Sequence, residues 1–141
     1  MPKAQLKTEL LETTLFNGEP ISDLREIPAD VLAYIGDSFF NLYSSIKSIG
    51  DGRKSISRVN KDGVKLKRAE GQKEFLSSIT PFLDEAEKEI VKRGINSKGA
   101  KKRGNCEAYR VSTGFECLIG YLFLEKNWKR LNEILNKSKK V

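Results

Sequence analysis

Histidine is absent from all 141 residues of the sequence. This absence excludes Ser–His–Asp and Cys–His catalysis, a histidine zinc ligand and a histidine general base. Cysteine is scarce, since Cys106 and Cys117 are the only two. Two thiols without histidine make a poor zinc site, so we expect both cysteines to be reduced and to pack as small apolar groups.

Long apolar runs are also missing. No stretch approaches the roughly 18 apolar residues that span a membrane, and residues 1–16 mix Lys and Glu among leucines, unlike a secretory signal. We therefore expect a cytoplasmic protein that does not enter a membrane. Its 38% hydrophobic content is enough for a buried core, and its length suits a single domain over residues 1–141.

Positive charge is concentrated in the later part of the chain. Lys and Arg total 26 against 19 Asp and Glu, and residues 1–50 hold only four of these cations but seven of the acids. Residues 53–73 carry eight Lys or Arg against two acids, and residues 92–103 carry six and no acid. Glycine, asparagine and serine between the charges predict a loop at 92–103. It is either a solvated surface loop or, because its charge is clustered and one-signed, a contact for nucleic-acid phosphates.

Helical spacing of apolar residues recurs along the chain, whereas alternating β patterns do not. We therefore predict an all-α domain of five to seven helices. The predicted helices cover residues 4–16, 28–46, 64–79, 80–94, 107–125 and 128–137. Pro28 suits the first turn of the second helix, while Thr80 and Pro81 are predicted to start the fourth, which ends at Gly94.

One carboxylate stands out on the helix over residues 28–46. At 100° per residue, the apolar side chains of this helix form one stripe, made of Val31, Ile35, Phe39, Leu42 and Ile46. Asp37 lies roughly opposite that stripe. It follows Gly36, which is unfavourable inside a helix and indicates that something approaches the helix backbone closely. We expect a second copy of the chain to make that approach, which predicts a homodimer.

A second carboxylate, Glu116, lies on the helix over residues 107–125. Residues 117–124 contain no charge, and one helix face is made of Val111, Phe115, Leu118 and Leu122. A helix this apolar should be buried, and a buried carboxylate is costly unless it is paired or bound to a metal. Together, Asp37 and Glu116 predict a two-carboxylate Mg²⁺ site, because hard oxygen ligands suit Mg²⁺ bound to a phosphate. The alternative for each residue is an ordinary helix acid.

Two motifs resemble the ribonuclease III family. LAYIGDSFFNLY (32–43) is similar to the first ribonuclease III signature, whose centre is a glycine–aspartate pair on a helix. YRVSTGFECLIGYLFLEK (109–126) is similar to the second conserved helix, and STGFECLIGYLFL within it matches the single-domain branch called Mini-ribonuclease III. KRGINSK (92–98) resembles the basic loop of that branch. The resemblance covers residues 28–135 and implies an all-α helical bundle like the ribonuclease III endonuclease domain.

The resemblance implies an endoribonuclease that cleaves double-stranded RNA with Mg²⁺ as an obligate homodimer. In the Mini branch the implied substrate is the precursor of 23S ribosomal RNA, and we expect ribosomal proteins on that RNA as further partners. Asp37 and Glu116 become the catalytic and metal-binding pair. We assign contacts with the RNA backbone to basic residues in and near the 92–103 segment, namely Arg93, Lys98, Lys101, Lys102, Arg103 and Arg110.

Two positions depart from the acidic pattern of full-length ribonuclease III. Ala33 stands where that pattern has a glutamate, and Thr113 stands where it has an aspartate. The main alternative is therefore a catalytically inactive RNA-binding or ribosome-assembly module on the same fold. A helical DNA-binding protein is a weaker alternative, because no exposed helix face carries a row of base-reading Asn, Gln or Arg.

Overall fold

The structure of the protein, a computed structural model, describes residues 11–16, 21, 23–101 and 106–137. No strand occurs among these residues, which confirms the all-α prediction. Residues 11–16 are helical, and the helices that follow are α1 (Ala29–Ile49), α2 (Ile56–Lys67), α3 (Ala69–Ile79), α4 (Glu85–Ile95), α5 (Lys98–Lys101), α6 (Glu107–Leu124) and α7 (Trp128–Lys137). No helix in these ranges is long and apolar enough to cross a membrane.

α6 is the central helix, and α1, α3, α4 and α7 pack around it. Its residues Phe115, Leu118 and Ile119 are fully buried. The Phe115 ring meets the Phe40 ring of α1 edge-on and the Phe75 ring of α3 at a tilt, with 5.0 Å between ring centroids in both pairs. Aromatic pairs of this kind add about 0.5–1.5 kcal/mol beyond the burial of their surface. The aromatic cluster therefore joins three helices.

α1 and α6 cross with their backbones in contact. A Cβ atom added to Gly36 would lie 1.7 Å from the carbonyl oxygen of Glu116, and one added to Gly120 would lie 1.9 Å from that of Leu32. Only glycine permits such an approach. The predicted close approach at Gly36 is therefore confirmed, but its assignment to a second copy of the chain is wrong, because α6 of the same chain makes the contact.

The buried face of α1 is not its apolar stripe. Val31, Leu42 and Ile46 of the stripe are 46%, 61% and 58% exposed. The buried residues of α1 are Leu32, Ala33, Gly36, Phe40, Ser44 and Ser48. Because the backbones of α1 and α6 touch, small residues face α6 and several large apolar side chains of α1 point away from it.

The predicted helix over residues 64–79 is interrupted at Arg68. This residue has extended backbone (ψ 149°) and separates α2 from α3. The break lets α3 fold back across the end of α2, so that a Cβ atom added to Gly71 would lie 2.6 Å from the Lys65 carbonyl oxygen. α2 also starts earlier than predicted, since Ser55 caps its first turn by accepting a hydrogen bond from the Arg58 N–H.

Thr80 and Pro81 do not start α4, contrary to the prediction. Residues 80–82 form a 3₁₀ turn, in which Thr80 Oγ1 donates a hydrogen bond to the Leu76 carbonyl at 2.6 Å. The N-cap of α4 is Asp84, whose carboxylate accepts from the Glu87 N–H at 2.8 Å. In return, the Glu87 carboxylate accepts from the Asp84 N–H at 2.9 Å. This reciprocal capping satisfies two N–H groups at the helix end and fixes its start.

The described part of the basic segment, residues 92–101, is more helical than the predicted loop. α4 does not end at Gly94 but continues to Ile95, because Gly94 packs against the Cα atom of Gly114 in α6. After a turn at residues 96–97, the chain forms the single helical turn of α5.

Both cysteines are free thiols, as predicted, but only Cys117 packs in the core. Cys106 is exposed at the residue before α6. Burial raises the pKa of the Cys117 thiol to about 11. This thiol is therefore protonated and unreactive at neutral pH.

Gly36→Ala is expected to force α1 away from α6, because the added methyl group would overlap the Glu116 carbonyl. We expect the free energy of unfolding to fall by roughly 3 kcal/mol, measured by urea denaturation. Gly99→Ala is the matched control, since its Cβ atom would meet Asp30 at an ordinary 3.7 Å. Equal stability of the Gly36 variant and the unchanged protein would contradict the backbone contact.

Candidate active site

A cleft of about 370 Å³ opens where α1, α6 and the junction between α2 and α3 meet, with α5 at its edge. Its lining is mostly polar or small and consists of Asp30, Ala33, Tyr34, Asp37, Lys67, Ala69, Gln72, Gly99, Tyr109, Ser112, Thr113 and Glu116. A volume of this size accommodates a small ligand or part of a larger one. The two carboxylates predicted from separate motifs, Asp37 and Glu116, therefore line the same cleft.

The contact between α1 and α6 fixes the relative position of these two carboxylates. Gly36, which precedes Asp37, touches the backbone of Glu116 itself. Asp37 is exposed to solvent, whereas Glu116 is partly buried. Their carboxyl groups come within hydrogen-bonding reach of each other. The pair is thus held by backbone packing, which is stiffer than contact through long side chains.

Burial and the neighbouring carboxylate raise the pKa of Glu116 to about 8. Burial is the larger cause because it disfavours the charged form, and the hydrogen bond and negative charge of Asp37 act in the same direction. Gln72 acts in the opposite direction by donating a hydrogen bond from Nε2 to Glu116 Oε2 at 3.4 Å. A cation bound between the two carboxylates would remove their repulsion.

The side chains of this cleft fit a Mg²⁺ ion. Asp37 and Glu116 provide the hard oxygen ligands that Mg²⁺ prefers, and the open cleft leaves room for the waters that Mg²⁺ retains. Gln72 Oε1 is buried and has no hydrogen-bond partner within the described ranges, so it marks a place for a hydrogen-bond donor. In the same part of the chain, no group of three or more acidic, cysteine or histidine side chains is arranged to hold a metal.

The two positions that depart from the family's acidic pattern also line the cleft. Ala33 is only 6% exposed and packs below it. The Thr113 hydroxyl donates a hydrogen bond to the Tyr109 carbonyl at 3.0 Å, and the Ser112 hydroxyl donates to the same carbonyl at 2.7 Å. Both hydroxyl groups therefore donate their protons to a backbone carbonyl of α6 and not into the cleft.

Two further cleft residues, Lys67 and Gln72, were not identified from the sequence. Both belong to the junction between α2 and α3, which helical periodicity merges into one helix. Lys67 donates from Nζ to Ser45 Oγ at 3.1 Å, and among the described residues it is the one cation in the cleft lining. The position of Lys67 in the basic segment 53–73 could have indicated a role in the site, whereas no sequence pattern distinguished Gln72.

The basic residues of α5 lie at the edge of the cleft. Lys98 and Lys101 are exposed, and Gly99 between them lines the cleft. Lys102 and Arg103, which were also predicted to bind RNA, lie outside the described residues. The contact of this segment with RNA stays a prediction.

Of the three predicted RNA-binding arginines, the two that the structure describes, Arg93 and Arg110, are both partly buried. Arg93 donates from Nη2 to the Ile27 carbonyl at 3.0 Å, which ties α4 to the segment just before α1. Arg110 lies in the first turns of α6. Neither residue lines the cleft, and their contact with RNA also stays a prediction.

Comparison with known proteins identifies the class to which this fold and cleft belong. The family model described as "Ribonuclease III domain" matches residues 30–127. An all-α fold with the two motif carboxylates in one cleft is thus that of a ribonuclease III-type endoribonuclease, and the chain belongs to the ribonuclease III family.

Several relatives carry the name Mini-ribonuclease 3, as the motifs predicted. The protein of that name from Kosmotoga olearia is 39% identical over 112 residues, which are 79% of this chain and 77% of the relative. The one from Thermoanaerobacter sp. is 37% identical over 134 residues, which are 94% and 92% of the two chains. The crystal structure of protein FN1578 from Fusobacterium nucleatum has a TM-score of 0.71 at 28% identity, covering 82% of this chain and 94% of that one.

The raised pKa of Glu116 predicts a pH-dependent stability in the metal-free protein. The carboxyl ionises near 4.5 in the unfolded chain but near 8 in the folded one. Between these values the folded state binds more protons, so the free energy of unfolding falls as the pH rises. The shift corresponds to at most about 5 kcal/mol, and partial solvent access should reduce the effect to about 2 kcal/mol.

Glu116→Gln should remove this dependence, because an amide does not titrate. From about pH 5 to about pH 8, the stability of the variant should improve by about 2 kcal/mol relative to the unchanged protein, as measured by urea denaturation in the presence of EDTA. Glu70→Gln, at an exposed position of α3, is the control. Parallel pH profiles for the unchanged protein and the Glu116 variant would show that burial does not hold the proton on Glu116.

Proposed function

We propose that the protein is a Mg²⁺-dependent enzyme that cleaves double-stranded RNA and matures the ends of the 23S ribosomal RNA precursor. The observation that carries the proposal is the pairing of Asp37 with Glu116 in an open cleft. The ribonuclease III family supports the RNA substrate and the divalent metal. The resemblance of the two motif helices to the Mini branch supports the particular RNA.

Asp37 and Glu116 are the residues that hold the cation in this proposal. When bound there, Mg²⁺ supplies an activated water and stabilises the charge on the attacked phosphate. Because Glu116 has a pKa of about 8 without metal, its carboxyl would have to lose its proton to hold the cation. The backbone contact at Gly36 keeps both carboxylates in place during that exchange.

Lys67 is the residue best placed to meet a phosphate inside the cleft. Its ammonium is anchored by Ser45 Oγ at 3.1 Å, on the same cleft that holds the two carboxylates. Lys98 and Lys101 are exposed at the edge, where they face the outer part of a bound duplex. Lysines contact phosphates without reading the base sequence, so duplex RNA would be recognised by its A-form shape and 2′-hydroxyls.

A catalytically inactive RNA-binding or ribosome-assembly module is the second candidate. Ala33 and Thr113 favour it, because neither supplies the carboxylate found there in full-length ribonuclease III. Both candidates bind structured RNA, so affinity does not distinguish them. Cleavage of RNA distinguishes them. If the protein is active, removing one carboxylate should abolish that cleavage.

Asp37→Asn and Glu116→Gln should each reduce cleavage by roughly 100-fold or more, since several kcal/mol of charge stabilisation is lost with the metal. The measurement is single-turnover cleavage of a duplex stem that pairs the two ends of a 23S precursor, with Mg²⁺ present. RNA affinity should remain, because phosphate contacts come mainly from lysine and arginine.

Asp30→Asn is the matched control, because Asp30 lines the same cleft close to Gly99 but does not join the pair. Circular dichroism checks that each variant is folded. Cleavage by folded Asp37→Asn at the rate of the unchanged protein would exclude this site. No cleavage by the unchanged protein would favour the inactive module.

A homodimer is part of the same proposal, and the exposed stripe of α1 is the surface that supports it. Val31, Leu42 and Ile46 are each about half exposed or more, and contiguous apolar surface of this kind marks an interface. A second copy packed on the same stripe would cover it symmetrically. Two copies would also supply two cation sites, one for each strand of a duplex.

Leu42→Asp combined with Ile46→Asp should convert the dimer to a monomer, because two buried charges without partners would oppose association. Sedimentation equilibrium at micromolar concentration is the measurement. Phe82→Asp is the control, since Phe82 is 48% exposed but lies in the turn before α4. A monomer mass for the unchanged protein would contradict the proposal outright.

A further inference from the structure

Gln72 enters the cleft from a third helix, at the corner between α2 and α3. The break at Arg68 turns the chain, and the Gln72 N–H then donates to the Arg68 carbonyl at 2.9 Å in the first turn of α3. Gly71 lets this turn approach the end of α2 closely. As a result the Gln72 side chain is only 3% exposed, yet it lines the same cleft as Asp37 and Glu116.

The orientation of the Gln72 carboxamide follows from its neighbours. Nε2 faces two acceptors, the Lys67 carbonyl at 3.3 Å and Glu116 Oε2 at 3.4 Å. Exchanging the nitrogen and oxygen would place Oε1 against the Lys67 carbonyl, which has no proton to donate, so this contact determines the assignment. Oε1 is then left buried, without a hydrogen-bond partner in the described part of the chain.

We propose that Gln72 is a positioning residue of the two-carboxylate site: its Nε2 holds the Glu116 carboxylate, and its Oε1 accepts a hydrogen bond from a water bound there. This inference rests on the proposed function, because it requires a hydrated cation at Asp37 and Glu116. It assigns to Gln72 a role that neither motif contains.

A purely structural role explains the Nε2 donor of the Gln72 carboxamide but not its Oε1 acceptor. Capping the Lys67 carbonyl at the end of α2 needs a donor, and Nε2 is enough for that. A buried acceptor without a partner costs about 1–3 kcal/mol, so Oε1 is unfavourable as a packing group. Gln72 lines the same cleft as Ala33 and Thr113, neither of which has a carboxylate. Its carboxamide is therefore the polar group that α3 adds to the site.

The test is the affinity of the protein for Mn²⁺ alone, without RNA, measured by titration calorimetry or by the electron paramagnetic resonance of free Mn²⁺. Gln72→Leu removes both the donor and the acceptor at nearly constant volume. We expect its affinity for Mn²⁺ to fall by about tenfold or more, as for other residues that orient metal ligands. The Mg²⁺ concentration needed for half-maximal cleavage should rise by a similar factor.

Gln72→Glu should bind Mn²⁺ more tightly than Gln72→Leu, because it loses the donor to Glu116 but retains an acceptor oxygen and adds negative charge. A structural role predicts the reverse order, since a buried carboxylate would disturb the fold more than leucine does. Ser44→Ala is the matched control, because it removes another buried oxygen without a partner in the described ranges, outside the cleft. It should leave Mn²⁺ affinity unchanged.

Gln72→Met replaces the leucine variant if that variant does not fold, since methionine keeps the length of glutamine and packs adaptably. If the folded leucine or methionine variant binds Mn²⁺ within twofold of the affinity of the unchanged protein, the role of Gln72 is overturned but the proposed cation site is not. Absence of Mn²⁺ binding by the unchanged protein would overturn both this inference and the proposed cation site.

Discussion

The backbone contact between α1 and α6 is the constraint on which the rest of the structure depends. Gly36 and Gly120 leave no room for a side chain between the two helices. This contact brings Asp37 next to Glu116, and it also determines which face of α1 is buried. Small residues occupy the contact, so large apolar residues such as Leu42 remain on the outer face. The pairing of Asp37 with Glu116 and the exposed apolar stripe of α1 are thus two results of one crossing.

Glu87 and Glu116, two glutamates beside the core, differ in what surrounds them. Glu87 is 5% exposed, and Arg130 donates to it from Nε and Nη2 at 2.6 Å each. That carboxylate is paired and links α4 to α7. Glu116 accepts a hydrogen bond from Gln72 at 3.4 Å and has the carboxyl group of Asp37 beside it. A buried carboxylate that the fold pairs is structural, whereas one placed against a second acid favours a ligand of opposite charge.

The sequence was sufficient to predict the fold class, and α6 and α7 to within a residue, because these features depend on local patterns. It also singled out Asp37 and Glu116, which line one cleft. It was not sufficient for the corner at Arg68, since apolar spacing continues across a break that only packing creates. The buried face of α1 was predicted wrongly for a related reason. Hydrophobicity alone predicts that the face with the larger apolar residues is buried. The close approach of α6 at Gly36 instead buries the face with the small residues. Gln72 was missed because its role depends on residues from two other helices.

The charge of the cleft is compatible with the proposed function, in which a site with fewer acids than full-length ribonuclease III would accept a phosphate. Asp30, Asp37 and Glu116 carry three negative charges when ionised, and Lys67 carries one positive charge. One divalent cation therefore neutralises the lining, so that a phosphate approaches without net repulsion. Two more carboxylates at positions 33 and 113 would leave two uncompensated negative charges and require a second cation. With Ala33, Thr113 and the neutral carboxamide of Gln72, the lining would be neutralised by a single divalent ion bound as proposed.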